Sequence, residues 1–276
     1  MLAEIIKSII LGIVEGITEW LPISSTGHMI LVNEFIGNTE GAFTSSDLYL
    51  YVIQLGAILA VVTMFFHKLN PFSPKKTSVE KKETWQMWFK VIVACIPAAV
   101  IGLLLNDYMD SWENWKVVSA TLIVYGIAFL AVESVNKKEK ISDISSMSYK
   151  TAVLIGLFQV LSIIPGTSRS GATILGAMIL GCSRGVAAEF SFFLAIPVMF
   201  GVSLLKIATY GEPVSGGDIA VLLIGMAAAY AVSMAAIKFL MDYVRKHSFK
   251  PFGWYRIILG AVVILYFWLI QPIIAG

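Results

Sequence analysis

Six long apolar stretches constrain this chain more than any other feature of its sequence. Each comes close to the roughly 20 helical residues that cross the hydrocarbon core of a bilayer, and they run over 48–67, 88–105, 116–134, 186–208, 218–241 and 253–274. Hydrophobic residues make up 58% of the 276 positions and charged residues 14%, whereas about 25% charged residues are usual in soluble domains. The sequence therefore predicts an all-α polytopic membrane protein, a single integral membrane domain over 1–276 with six transmembrane helices in the lipid bilayer.

Two further apolar stretches are each interrupted near the middle. The first, 5–36, is broken at Pro22–Gly27, and the second, 150–182, is broken at Pro165–Gly171. Each half is too short to span a bilayer, and non-helical backbone at membrane depth survives only where it is buried in protein or lines a water-filled cavity. We therefore expect two re-entrant helical hairpins in addition to the six transmembrane helices.

The charges of the loops indicate the side of the membrane that each loop faces. Under the positive-inside rule, basic loops are assigned to the cytoplasm: 68–90, 242–256 with Arg256 among its basic residues, and, by a smaller margin, 133–150. Acidic loops are assigned to the outside: 34–47, 106–116 and 209–218. The totals of 20 basic and 18 acidic residues nearly balance, so nucleic-acid binding is not expected.

These assignments give a consistent path only if both hairpins return to the face from which they entered. The chain then divides into halves of opposite orientation, 1–135 and 150–276, joined by a cytoplasmic loop. An offset of 144 residues aligns the two interrupted stretches: Gly12 falls on Gly156, Ser24 on Ser168 and Gly27 on Gly171. We therefore expect an inverted-topology repeat whose two breaks meet near the membrane midplane.

Two glutamates precede the first break. Glu15 and Glu19 are four residues apart and share a helix face, and an ionised side chain at the bilayer centre costs about 2.5–3.5 kcal/mol. Such a pair suits a hard divalent cation such as Mg²⁺, or one carboxylate as metal ligand and the other as base. The alternative is a surface-facing pair at a frayed helix end.

The first break has the sequence Pro22-Ile-Ser-Ser-Thr-Gly-His28. Its three hydroxyls can cap the helix that follows, but one cap needs only one of them. His28 adds a group with an unperturbed pKa of about 6.5, and its spacing from Ser25 lets the imidazole approach the hydroxyl. The break is therefore a candidate acid/base and nucleophile site, with capping and packing as the alternative.

The second break, Pro165-Gly-Thr-Ser-Arg-Ser-Gly171, has the composition of an oxyanion cradle. Gly166 allows close approach of the backbone, hydroxyls and free amides at a helix N-terminus donate hydrogen bonds, and Arg169 can grip a phosphate with two parallel bonds. Alternatively, Arg169 pairs with Glu15 or Glu19 to neutralise the core. The two interpretations are compatible, because a ligand can displace such a pair.

Other polar residues have weaker interpretations. Gln54 either lines the cavity or bonds a neighbouring helix, and Arg184 and Glu189 are expected to be solvated near the inner edge of the membrane. Cys95 and Cys182 lie in apolar surroundings without the spacing of metal ligands, so both are expected to be free thiols that pack like small hydrophobic residues.

With these residues in view, the chain strongly resembles the bacitracin-resistance family of undecaprenyl-pyrophosphate phosphatases over essentially its whole length. The most specific parts are Glu15-Gly-Ile-Thr-Glu19, which runs into the first break, and the stretch Pro165-Gly-Thr-Ser-Arg-Ser-Gly-Ala-Thr173. Neither departs from the family pattern at a polar position.

The resemblance implies an enzyme that removes the terminal phosphate of undecaprenyl pyrophosphate and so recycles the lipid carrier of cell-wall synthesis. It implies a multi-pass protein of the bacterial inner (plasma) membrane with an active site open to the outer face. Bacitracin resistance would follow, because the antibiotic sequesters the same substrate. The resemblance also implies a divalent cation, Mg²⁺ or alternatively Ca²⁺, and it is compatible with a homodimer.

The resemblance also assigns roles to residues. Glu15 and Glu19 would bind the metal, with Glu19 also in acid/base chemistry, and Ser25 would be the nucleophile. His28 would act as its base or as acid to the leaving group, while Arg169 would hold the pyrophosphate. The supporting substrate-binding groups would be Ser24, Thr26, Gly166, Thr167, Ser168 and Ser170. Whether serine or water attacks stays open.

Two other classes remain as alternatives. Inverted repeats with broken helices are a transporter architecture, and a transporter or flippase of an anionic lipid or small anion would use Arg169 and the helix N-termini. A carrier has no need of a histidine beside paired glutamates. The separate lipid-phosphate phosphatase superfamily would need a second histidine motif on a later helix, whereas His67 and His247 lie in basic loops.

Overall fold

The computed structural model describes residues 1–36, 42–110, 112, 114–135 and 139–272. Within these ranges the chain is helical, and its one β-type pairing is an isolated bridge between Ile141 and Cys182. The end of the stretch predicted over 253–274 and parts of the predicted loops 34–47, 106–116 and 133–150 lie outside the described residues.

Twelve α-helices are described, and most are joined by short connections. They are α1 Leu2–Thr18, α2 Ser25–Ile36, α3 Asp47–Val52, α4 Gln54–Met64, α5 Phe66–Leu69, α6 Ser78–Asp110, α7 Trp115–Ser134, α8 Tyr149–Val160, α9 Arg169–Ile179, α10 Arg184–Thr209, α11 Gly216–Val244 and α12 Lys250–Leu265. Short 3₁₀ turns cover Phe43–Ser45 and Leu161–Ile163, and a π-helical turn, Tyr266–Ile270, follows α12.

Six described helical segments are long and apolar enough to cross a membrane, which confirms the six predicted spans. They are Asp47–Met64, formed by α3 and α4 together, Ser78–Leu105, Trp115–Ser134, Arg184–Thr209, Gly216–Val244 and Lys250–Ile270. The second begins well before the predicted start at 88, because Thr77 and Glu80 cap one another reciprocally at its N-terminus. Hydropathy locates the apolar part of a helix, whereas the cap decides where the helix begins.

Helix α10 lies at the centre of the bundle. It packs against α3, α4, α6, α9 and α11, and its Phe190, Phe192 and Phe193 are fully buried. Large apolar side chains on the outer helices are exposed instead, among them Leu104 on α6 and Ile258 on α12. A bundle with a buried aromatic centre and an apolar exterior is suited to lipid as its solvent.

Both interrupted stretches form a helix, a break and a second helix, as the sequence predicts. The first break lies between α1 and α2, and the second lies between the 3₁₀ turn that follows α8 and the start of α9. Each second helix begins inside the predicted break, so that Ser25 and Arg169 are the first residues of α2 and α9. Several polar residues of each break therefore belong to a helical N-terminus.

Glycines allow α1 and α8 to lie close against neighbouring helices. A Cβ added at Gly12 would lie 2.5 Å from the carbonyl oxygen of Gly225 on α11, and one at Gly156 would overlap the carbonyl of Ala94 on α6. Gly12 and Gly156 are the residues that the 144-residue offset aligns, so the two halves use the same position for close packing.

Arg184 and Glu189, expected to be solvated, are instead paired. Arg184 donates two hydrogen bonds of 2.9 and 2.7 Å to the buried carboxylate of Glu133, which also accepts one from the backbone N–H of Phe249. Glu189 accepts a hydrogen bond of 2.7 Å from Lys68 Nζ. These partners are distant in sequence, so hydropathy alone could not indicate them. Cys95 and Cys182 are both free, as predicted.

We predict that Gly156→Ala lowers the thermal midpoint of unfolding in detergent, because the added methyl group separates α8 from α6 and overpacking costs about 1–3 kcal/mol. The matched control is Gly201→Ala on α10, where an added Cβ meets nothing within 4 Å. The control should keep or raise the midpoint, since alanine favours a helix over glycine. Equal midpoints for the two variants would contradict the close packing of α8 on α6.

Candidate active site

The two breaks meet through residues that lie about 150 positions apart in the sequence. Nη2 of Arg169 lies 2.8 Å from Oε1 of Glu19, and Oγ of Ser170 donates a hydrogen bond of 2.9 Å to the backbone carbonyl of Glu19. One side-chain and one backbone contact thus join the end of the first interrupted helix to the start of α9. The proximity of the breaks expected from the sequence is present in the structure.

A serine with a positive φ precedes each of α2 and α9. Ser24 has a φ of 74° and Ser168 a φ of 71°, and these are the described non-glycine residues with positive φ. The Ser24 hydroxyl accepts a hydrogen bond from the amide of Gly27 at 3.3 Å, and the Ser168 hydroxyl accepts one from Gly171 at 3.2 Å. These N-caps satisfy helix amides, so both serines shape the breaks and begin the helices.

Arg169 is held from three sides. Besides its bond to Glu19, it donates from Nη1 to the backbone carbonyl of Ser191 at 2.7 Å, and its guanidinium carbon lies 5.8 Å from the ring centroid of Trp20. The Arg169 and Glu19 side chains are only 11% and 9% exposed, where charge–charge interactions are stronger than in water. Nε of Arg169 is buried and has no hydrogen-bond partner among the described residues, so one donor of the cation is unsatisfied.

Glu19 also faces the first hydroxyl of α2. Oγ of Ser25 lies 3.4 Å from Oε2 of Glu19, while the other carboxylate oxygen binds Arg169. Ser25 is half-buried at the helix N-terminus. The Glu19 carboxylate therefore contacts the Ser25 hydroxyl through one oxygen and the Arg169 guanidinium through the other, which links the two breaks.

Glu15 lies one helical turn before Glu19 and is 2% exposed. Its Oε1 is buried and has no hydrogen-bond partner among the described residues. Those residues include no group of three or more histidine, cysteine or acidic side chains that could hold a metal by themselves. Two carboxylates nevertheless suit Mg²⁺, which usually keeps several waters and binds through one or two carboxylates together with substrate phosphates.

His28 is oriented away from the contact expected with Ser25. Its Nδ1 lies 2.7 Å from the carbonyl oxygen of Ser24, and its Nε2 lies 2.7 Å from the hydroxyl of Tyr255. The physical reason is local, because a helical side chain points toward the N-terminus and so reaches the carbonyl four residues back. With both ring nitrogens occupied in this way, Ser25 bonds Glu19 and the imidazole faces α12.

The predicted supporting residues fall into two groups. Gly166 and Thr167 are buried, and their backbone carbonyls accept hydrogen bonds from Arg256. Thr26 and Ser168 are half-buried, and the Ser168 and Ser170 hydroxyls lie 3.2 Å apart. Thr26 and Ser168 lie closer to solvent than Gly166 and Thr167, whereas Ser24 and Ser170 are buried.

Arg256 is not in a cytoplasmic loop, as its charge suggested, but is fully buried in α12. Nη1 donates to the carbonyl of Pro22 in the first break at 3.3 Å, and Nη2 donates to the carbonyls of Gly166 and Thr167 in the second break at 3.0 Å each. One side chain thus holds both breaks together. A usable signal was present in the sequence, since this arginine lies inside the apolar stretch predicted over 253–274.

The fold and the site together define an all-α membrane protein in which two interrupted helical elements assemble one buried cluster of serine, carboxylate and arginine. A sequence model of the family described as "Bacitracin resistance protein BacA" matches residues 8–262, and the chain belongs to this family.

Bacterial relatives match the chain over nearly its full length. A protein of Enterococcus faecalis named undecaprenyl-diphosphatase is 56% identical over 275 residues, which cover 98% of this chain and 99% of the relative. A protein of the same name from Lactiplantibacillus plantarum is 54% identical over 97% of this chain and 99% of its own length. A third, from Desulfitobacterium hafniense, is 56% identical over 96% and 97%.

We predict that Arg256→Met lowers the thermal midpoint more than Arg245→Met, whose exposed side chain forms an ion pair with Asp242 at 3.7 Å. The loss of Arg256 leaves carbonyls of both breaks without their donor, and an unsatisfied buried polar group costs about 1–3 kcal/mol. Thermal unfolding of both variants in one detergent gives the comparison. A midpoint for Arg256→Met as high as that of the control would show that this side chain does not hold the breaks together.

Proposed function

We propose that this protein is an undecaprenyl-diphosphatase, which hydrolyses undecaprenyl pyrophosphate to undecaprenyl phosphate and inorganic phosphate. Family membership and the names of relatives at about 55% identity support the proposal. The structural observation that supports it most directly is the pair of contacts that Glu19 makes, one with Ser25 and one with Arg169. A hydroxyl, a base in contact with it and a cation suited to a phosphate are the groups that phosphoryl transfer needs.

Arg169 is the residue that receives the diphosphate. Catalysis of phosphoryl transfer depends mainly on positioning and on stabilisation of charge, and a guanidinium binds phosphate oxygens through two parallel hydrogen bonds. An arriving diphosphate competes with Glu19 for Arg169 and supplies the negative charge that the arginine then needs. The same event frees the Glu19 carboxylate to act as a base.

Glu19 takes the proton of Ser25 as the serine oxygen attacks the terminal phosphorus. The bond from that phosphorus to the bridging oxygen breaks, and undecaprenyl phosphate leaves with the electron pair. Water then attacks the phosphorus of the phosphoserine, the bond from phosphorus to Oγ of Ser25 breaks, and Oγ takes back the proton held by Glu19. Inorganic phosphate leaves with the oxygen of the water, and the proton that the water loses passes to solvent. The contact between Ser25 and Glu19, and not one between Ser25 and His28, supports Glu19 as the base of the first step.

Glu15 and Glu19 are the residues that would hold a divalent cation, Mg²⁺ or Ca²⁺. When bound, such an ion would neutralise charge on the diphosphate. The unpartnered Oε1 of Glu15 supports this assignment, because a carboxylate oxygen buried without a donor needs a compensating charge.

We place the protein in the bacterial inner membrane as an inverted-topology repeat, with both interrupted elements re-entrant and the site open to the outer face. The pattern of helix packing supports the repeat: α1 packs along α11 while its counterpart α8 packs along α6, the counterpart of α11. Helices α7 and α12, also counterparts, pack along each other. The matched conformations of Ser24 and Ser168 add local support.

Purified protein in detergent should release phosphate from undecaprenyl pyrophosphate, and Ser25→Ala should lower kcat by at least about 100-fold, since it removes the attacking oxygen. Arg169→Lys should lower kcat/KM by a similar factor, because an ammonium cannot reproduce the two-pronged geometry. Ser134→Ala, at an exposed helix end, is the matched control and should retain activity. Phosphate release by the wild type that survives Ser25→Ala would exclude serine attack, and no release at all would favour a carrier.

We predict that a chelator stops phosphate release and that added Mg²⁺ restores it. Glu15→Gln should raise the Mg²⁺ concentration for half-maximal activity by about tenfold or more, because one of two charged ligands is lost, while Glu212→Gln on a predicted outer loop should not. The measurement is a titration of initial rates with Mg²⁺ for the three proteins. Full activity after exhaustive chelation would contradict a metal-dependent site.

The orientation is tested by cysteine labelling in intact cells. In a chain with Cys95 and Cys182 replaced by alanine, a membrane-impermeant maleimide should label Glu212→Cys from outside and should label Lys75→Cys only after the cells are opened. The reverse pattern would contradict an outward-facing site. Labelling in opened cells verifies that both cysteines are reactive.

A further inference from the structure

Tyr255 of α12 contacts His28 of α2 in a manner that no step described above uses. Its hydroxyl lies 2.7 Å from Nε2 of the histidine, and the two rings are stacked with centroids 5.6 Å apart and planes 6° from parallel. The two residues are 227 positions apart in the sequence. The contact therefore depends on how α12 docks against the first break.

The hydrogen bonds of His28 determine which ring nitrogen carries the proton. A carbonyl oxygen can only accept, so Nδ1, at 2.7 Å from the Ser24 carbonyl, is the protonated nitrogen. In the neutral ring Nε2 is then an acceptor, and the Tyr255 hydroxyl must be the donor. The structure thus specifies one tautomer of His28 and leaves Nε2 as the basic nitrogen.

Tyr255 is itself held in place by its neighbour in the chain. Arg256 is fully buried and bonds carbonyls of both breaks, whereas Tyr255 is 44% exposed. The buried arginine anchors this turn of α12 to the site, and the adjacent tyrosine carries the ring that stacks on the imidazole. A group mounted on an anchored helix holds its partner more exactly than one on a free loop.

We infer that Tyr255 is a positioning residue for His28, which holds the imidazole in the Nδ1–H tautomer and keeps Nε2 as the unprotonated, basic nitrogen of the ring. The inference rests on the proposed phosphatase function for its role in catalysis, but the tautomer and the contact are properties of the resting protein. Tyr255 acts through His28 and does not touch the diphosphate.

The test is NMR spectroscopy of the full-length protein in detergent with ¹⁵N-labelled histidine. The chain has three histidines, and His67→Gln and His247→Gln leave the His28 signals to be assigned. The neutral His28 ring should show a protonated Nδ1 and an unprotonated, hydrogen-bonded Nε2. Tyr255→Phe keeps the ring stack but removes the hydroxyl, so the Nε2 signal should move toward that of an unbonded nitrogen.

Steady-state phosphate release supplies the second readout. One hydrogen bond contributes about 0.5–1.5 kcal/mol, so Tyr255→Phe should lower kcat by about 2- to 12-fold, with KM unchanged. The matched control is Tyr243→Phe, which removes a hydroxyl from a tyrosine that stacks on His247, with ring centroids 4.6 Å apart. It should change neither kcat nor the His28 signals.

Three results would overturn the inference. The first is a protonated Nε2 in the neutral wild-type ring, and the second is a set of His28 signals that does not change in Tyr255→Phe. The third is a rise in KM at constant kcat in Tyr255→Phe, which would make Tyr255 a substrate contact. Failure of the proposed function looks different. Wild-type protein that shows the Tyr255-dependent His28 signal but releases no phosphate would refute the phosphatase assignment and leave the contact intact.

Discussion

The ion pair between Glu19 and Arg169 is the interaction on which the rest of the structure depends. Both side chains are buried in the protein, where each charge would cost several kcal/mol without the other, so the pair determines where the two interrupted elements meet. One oxygen of the carboxylate binds Arg169 and the other faces Ser25. The contact between the two breaks therefore also brings together the proposed nucleophile, its proposed base and the arginine proposed to bind the diphosphate.

The same local structure is used twice with different chemistry. Ser24 and Ser168 share a positive φ and cap the helices that follow. The first element contributes carboxylates and a hydroxyl, whereas the second contributes an arginine. Arg256 supports the joint by donating to carbonyls of both breaks. A broken helix leaves backbone groups without partners, and here a single side chain of α12 satisfies three of them.

Much of this could be predicted from the sequence, because apolar length and polar interruption are properties of single segments. The six spans, the two breaks and the pairing of Arg169 with one of the two glutamates follow from residue type and position, whereas the choice of Glu19 over Glu15 does not. The orientation of His28 does not, since the Ser24 carbonyl and the distant Tyr255 compete with Ser25 for its nitrogens. The charge of Arg256 favours a loop, and its partners, at least 89 positions away, cannot be inferred from a local pattern.

A double-mutant cycle on Glu19 and Arg169 tests the central claim most directly. The thermal stability of Glu19→Gln, Arg169→Gln and the double variant would be measured in one detergent against the wild type. If the side chains are paired as described, the double variant loses less than the sum of the single losses, with a coupling energy of about 1–3 kcal/mol. Losses that add to within about 0.5 kcal/mol would show that the two breaks do not meet through this pair.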